Sequence, residues 1–170
     1  MAWSGVFFGK GDPMAKPQAF FADNPQIDTV EAFIVDINGV LCGKKLPRDM
    51  SDKLFKSGLR MPRSIFAMDI FGQDVLPAGL VAETGDSDGV CFAAEGTLKA
   101  VPWQKDAAQV LMTMSESDGS PFFGDPRHVL KKVLDLYAKK GLTPVVAAEI
   151  EFYLIDNKPD EKGVPQPPLN

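Results

Sequence analysis

Hydrophobic and polar positions fall into a readable order from Thr29 onward. The run VEAFIV, the pair Asn38-Gly39 and the run VLCGKKL are two apolar, β-branched stretches around a dipeptide that readily adopts positive φ. This predicts a β-hairpin closed by a tight turn. In PRDMSDKLFKSG, Met50, Leu54 and Phe55 sit at helical spacing, and Gly58 ends the short helix that the spacing predicts. SIFAMDI reads as a further strand. Residues 72–89 are rich in turn formers (Gly72, Pro77, Gly79 and the GDSDG at 85–89), and short strands follow around 90–93, 97–101 and 108–114, with a turn at Asp118-Gly119. Several strands and one short helix over 29–121 predict an α+β fold class for this part of the chain.

The pattern changes at Asp125. In DPRHVLKKVLDLYAKKG, Asp125 stands at a helix N-cap and Pro126 at the first helical position. Val129, Leu130, Val133, Leu134 and Tyr137 form one apolar stripe, and Gly141 stands where a C-terminal cap belongs. TPVVAAEIEFYLID, 143–156, reads as a strand that is continuously apolar apart from two glutamates, and a Pro-rich, charged tail follows it. A helix and a buried-looking strand need layers to cover them, and this sequence supplies few. Residues 122–170 are therefore expected to open a second, incomplete domain, with the chain the front part of something larger. Residues 1–28 read as an irregular Gly-, Pro- and Phe-rich arm. Its pairs Phe7-Phe8 and Phe20-Phe21 are expected to pack on the same chain, with docking on a neighbouring subunit as the sharper alternative.

Composition narrows the classes. The 170 residues are 45% hydrophobic and 24% charged, which suits a packed core and argues against disorder of the whole chain. With 18 basic against 23 acidic residues the net charge is −5, the wrong sign for a nucleic-acid binder. No apolar run reaches the ~20 residues that span a bilayer, and the N-terminus lacks a signal-peptide pattern, so a cytoplasmic protein with no membrane partner is expected. Cys42 and Cys91 form no metal knuckle and read as small buried thiols. The only histidine, His128, excludes any site needing several imidazoles from this chain and reads as structural or superficial.

Candidate chemistry is sparse. Glu149 and Glu151 stand two apart in the predicted strand, so both carboxylates share a face and are able to converge on hard cations such as Mg²⁺ or Mn²⁺. On spacing alone, the wet side of an amphipathic strand explains them better. Asp86 and Asp88 resemble half of a calcium loop, but Thr97 stands where the twelfth-position glutamate belongs, and a plain turn is the better reading. Lys44 and Lys45 after Gly43 read as the solvated end of a hairpin rather than a phosphate nest, and no Gly-rich stretch continues into a P-loop. Trp103 is expected in the core or at an interface.

The strings NGVLCGK, RMPRSIF, GDSDG, VPW, DGSPFFGDPRHVLKKVL and AAEIEFYLID, taken in that order, resemble the front part of the glutamine synthetase superfamily over about residues 30–168. RMPRS and DGSPFFGDPRHVL bring the wording nearest to the branch that joins glutamate to amines other than ammonia, such as the γ-glutamylputrescine synthetases. The resemblance implies a β-grasp domain over 29–121 and the start of a catalytic domain over 122–170. It implies that Glu149 and Glu151 are metal ligands for Mg²⁺ or Mn²⁺, in a ligase that uses ATP to make γ-glutamyl phosphate from glutamate, from which an amine displaces phosphate.

It also implies a ring-shaped homo-oligomer with sites between subunits, and inactivity of this chain alone. In ammonia-using members a loop of the first domain carries an aspartate and a nearby serine. Here Ser64 fits the serine, while Met61 or its neighbour stands in place of the aspartate. An apolar side chain does not hold ammonium, whereas it suits the methylenes of a longer amine. Cys42, where many relatives have arginine, has no assigned consequence. Two further readings stay open: a stand-alone β-grasp interaction module without catalysis, and a true ammonia-dependent glutamine synthetase.

Overall fold

The computed structural model describes residues 17–168. Its centre is a mixed sheet. β1 (Thr29–Val35) and β2 (Leu41–Pro47) form the expected antiparallel hairpin, in register from Thr29 opposite Pro47 to Val35 opposite Leu41. β1 also pairs in parallel with β6 (Ala107–Ser115), which pairs antiparallel with β4 (Asp88–Ala93), and β4 pairs with β3 (Leu59–Pro62). The order is β2-β1-β6-β4-β3, with the short β5 (Lys99–Ala100) against β6. With its helices, this is an α+β architecture.

One face of the sheet is buried. Alternate residues of β1 (Val30, Ala32, Ile34) and of β6 (Ala108, Val110, Met112, Met114) join Met61 and Cys91 in one core. Phe21 from α1 (Pro17–Asp23), Leu54 from α2 (Lys53–Lys56), Phe66 and Phe122 complete it. The period of two in β1 and β6 is what a sheet with one dry face requires.

Several elements differ from the sequence expectation. The hairpin does not close by a two-residue turn. Its loop, 36–40, wraps the buried Asp36 carboxylate, whose Oδ1 accepts from the N–H groups of Asn38 and Val40, both at 2.8 Å. A buried carboxylate needs donors, and the loop backbone supplies them. The strand expected at SIFAMDI lies one step earlier, at β3, and residues 63–66 form a 3₁₀ turn instead. The arm read as irregular contains α1. Phe21 is buried, its carbonyl accepts from Arg48 Nη2 at 2.8 Å, and the Arg48 guanidinium sits 4.8 Å from its ring centre. Phe20 packs on the same core, as expected of this pair, while Phe7 and Phe8 lie outside the described residues. Trp103 is 79% exposed in a turn, so it is not a core residue.

The helix α3 (Pro126–Lys139) forms as expected. Asp125 caps it by accepting from the Arg127 N–H at 2.8 Å. At its other end Gly141, at φ +69°, lets the Leu142 N–H reach the Tyr137 carbonyl at 3.0 Å, a bond that a residue with a Cβ would form only under strain. The apolar stripe is not covered: Val129, Leu130, Val133 and Tyr137 are exposed. The predicted strand 143–156 is absent. No strand pairs with this stretch, whose backbone meets another segment only at its end, where the Asp156 N–H donates to the Gln166 carbonyl at 2.8 Å, and its large side chains stand in solvent, Tyr153 at 94%. Strand propensity forms no ladder without a partner. Among the described residues no helix is long and apolar enough to cross a membrane.

Candidate functional site

Two regions hold the residues singled out above, and the structure does not bring them together. The first is the 63–66 turn at the end of β3. Ser64 is 6% exposed, and its backbone N–H reaches the Asp86 carboxylate at 3.4 Å. Met61 does not line this turn. It belongs to β3, opposite Gly89, and is 3% exposed within the core. Side chains alternate along a strand, and β3's register turns this one inward. Met61 is therefore withdrawn as a border for amine methylenes.

The residue between Met61 and Ser64 that matters most was not singled out by sequence reasoning. Arg63 Nη1 donates to Ser87 Oγ at 3.0 Å, and Nη2 is paired with the Glu116 carboxylate. The guanidinium carbon lies 5.9 Å from the Phe122 ring centre. The Arg63 backbone N–H donates to the Ser87 carbonyl at 3.3 Å. The turn at 85–88 is thus fastened to the turn at 63–66 by both backbone and side chains. Asp86 takes positive φ there, at 49°, and is exposed, as the turn reading of GDSDG requires. Arg63 stood inside the RMPRS string, but Glu116 lies 53 positions away, and no local signal links the two.

The second region is Glu149-Ile150-Glu151. Both glutamates are exposed, on a stretch without a paired strand. Among the described residues no three His, Cys, Asp or Glu side chains gather into a group able to hold a metal ion. The donor chemistry fits all the same. Two carboxylates two residues apart are hard oxygen ligands of the kind Mg²⁺ and Mn²⁺ take, short of the six such an ion needs.

The remaining candidates are structural. His128 donates from Nε2 to the Met114 carbonyl at 2.9 Å, and Nε2 lies 3.9 Å from Asp125 Oδ2. Asp125 is buried, and its Oδ2 accepts from the Met114 N–H at 2.8 Å, so the N-cap of α3 also ties the helix to β6. Cys91 is buried, and burial pushes its thiol up to about 12. Cys42 is half-buried and raised less, by the same cause. Lys45 pairs with Glu31 at 2.6 Å across the hairpin, as a solvated basic end should.

Comparison with known proteins supports the glutamine synthetase resemblance. The profile of the family described as glutamine synthetase, catalytic domain, matches residues 123–170. The chain is 42% identical over 147 residues to gamma-glutamylputrescine synthetase PuuA of Escherichia coli (strain K12), covering 85% of this chain. It is 31% identical over 141 residues to glutamate–isopropylamine ligase of a Pseudomonas species, covering 81% of this chain. It spans 30% of the length of each of these relatives. Among solved structures, ligand-free GmaS superposes with a TM-score of 0.58 at 20% identity, covering 75% of this chain and 27% of that one. That likeness speaks for the fold alone.

Proposed function

Because this chain belongs to the glutamine synthetase superfamily and resembles its gamma-glutamylputrescine synthetase branch, we propose that it is the N-terminal part of an ATP-dependent ligase joining an amine to the γ-carboxylate of glutamate. The observation that carries this reading is the 42% identity over 147 residues to an enzyme named for that product.

In the proposed organisation, an arm at 1–28 precedes a β-grasp domain at 29–121 and the opening of a catalytic domain at 122–170. A mixed sheet whose β1 and β6 lie side by side and parallel at its centre supports the β-grasp reading. The profile match that begins at residue 123 supports the second boundary.

In the proposed chemistry ATP phosphorylates the γ-carboxylate of glutamate, and an amine displaces phosphate from the acyl phosphate. Glu149 and Glu151 would hold Mg²⁺ or Mn²⁺, which when bound neutralises phosphate charge. The 63–66 turn, with Ser64, faces the amine. The intact enzyme is a ring-shaped homo-oligomer whose sites lie between protomers.

The test is ATP-dependent phosphate release by the full-length protein with glutamate and a panel of putrescine, isopropylamine and ammonium. Release that requires both glutamate and an alkylamine is expected; no amine-dependent release with any of the three refutes the ligase reading. Glu151→Ala in the same protein should nearly abolish turnover and raise the Mg²⁺ or Mn²⁺ concentration needed for half-maximal activity. Unchanged metal dependence would remove Glu151 from the ligand set.

A further inference from the structure

Arg63 is an unusual residue to find against a core. Its side chain is 19% exposed and that of its partner Glu116 is 29% exposed. Its Nε is buried with no hydrogen-bond partner among the described residues. Taking such a pair out of water offsets most of its mutual attraction, so an apolar pair of the same size would serve stability equally well. What an apolar pair would not supply is direction. A guanidinium presents its donors in a rigid planar fork, so the atoms it binds are held at set positions relative to one another. Those atoms are Ser87 Oγ at 3.0 Å and the Glu116 carboxylate, with the Phe122 ring at 5.9 Å. They come from the 85–88 turn, from the residue after β6 and from the segment leading into α3. Arg63 itself immediately precedes Ser64. One cation therefore sets the position of the Ser64 turn against three other pieces of chain, and the Ser64 N–H to Asp86 contact at 3.4 Å depends on that spacing.

We infer that Arg63, held by Glu116 and Ser87, is a positioning residue that fixes the Ser64 turn and the adjoining Asp86 turn as one amine-facing unit. The inference rests on the ligase reading above and deepens it. It assigns the amine end of the reaction, and neither the glutamate nor the ATP end, to the Arg63–Glu116 pair. Asp86, exposed beside Ser64, gives that unit a negative charge suited to a cationic amine.

The experiment is steady-state kinetics of the full-length protein and its Arg63→Ala, Arg63→Lys and Glu116→Gln variants, with putrescine and ammonium as amine probes. Arg63→Ala is expected to raise the KM for putrescine at least tenfold while KM for glutamate and for ATP stay within twofold. Arg63→Lys keeps the charge without the fork and should recover only part of that loss. Glu116→Gln should shift the amine KM in the same direction, and the double variant Arg63→Ala/Glu116→Gln should be little worse than Arg63→Ala alone.

A uniform fall in kcat with all three KM values unchanged, or equal rises in all three, overturns the inference. Should Arg63→Ala not fold, Arg63→Lys and Glu116→Gln carry the same comparison, and an unchanged amine KM in both overturns it. Wild-type protein with no amine-dependent turnover overturns the ligase reading and this inference together. An active wild type whose variants keep their amine KM overturns this inference alone.

Discussion

Removing the Asp125 carboxylate should both uncap α3 and orphan a donor in the sheet. The side chain is buried, and its two oxygens have separate tasks: Oδ1 accepts from the Arg127 N–H at 2.8 Å and Oδ2 from the Met114 N–H at 2.8 Å. Losing an N-cap costs about 1 kcal/mol. Losing a hydrogen bond to a charged group, with the buried Met114 N–H left unpaired, costs about 1.5–3 kcal/mol. Asp125→Ala should therefore destabilise the protein by about 3 kcal/mol. Asp125→Asn keeps the shape but has only one oxygen. It satisfies either the cap or Met114, and should fall about midway.

The two terms are separable, because α3 contributes no buried residue. Urea unfolding should register the summed loss, whereas hydrogen exchange of the α3 amides should report the cap term alone through faster opening. A destabilisation below about 1 kcal/mol for Asp125→Ala, or an Asn variant as stable as the wild type, would refute the assignment of two independent roles to this carboxylate.

Three further outcomes are expected. Cys91 should resist maleimide at pH 8 in the folded protein while Cys42 reacts, with both reacting in urea; equal folded-state rates would contradict the burial of Cys91. Because the folded Cys91 thiol is raised from 9.0 to about 12, the unfolded chain ionises first. Its contribution to stability is full below pH 9 and is lost progressively from there to about pH 12, a fall that should be absent from urea titrations of Cys91→Ala. Met61→Asp should place an unpaired carboxylate in the core and destabilise by about 3–5 kcal/mol. Burial raises that carboxyl above its unfolded value, so the penalty is largest at neutral pH and shrinks as pH falls. Thermal melts at pH 5 and pH 8 read it, and a stable variant that gains ammonium-dependent turnover would show that Met61 faces the amine after all.

Features carried by neighbours along the chain could be read before any folding was known. The α3 helix is defined by Asp125, Pro126 and Gly141, whose capping bonds all close within a few residues. The β1 strand is legible because alternate residues already divide into a dry and a wet face. For Glu149 and Glu151 the spacing alone favours a wet strand face, the metal-ligand reading comes only from the family resemblance, and among the described residues no third donor gathers with them.

Tertiary structure decided whatever depends on a distant partner. It turned Met61 into the core by pairing β3 with β4, set β1 beside β6 in parallel, and left 143–156 without a strand neighbour. It also placed Arg63 on Glu116, 53 residues away, and Asp36 at the centre of its own hairpin loop. Helix caps and side-chain periods are local interactions that a sequence displays directly. Strand order, register and buried ion pairs are settled by which distant segments satisfy one another's hydrogen bonds and apolar surface, and that choice exists only once the chain has folded.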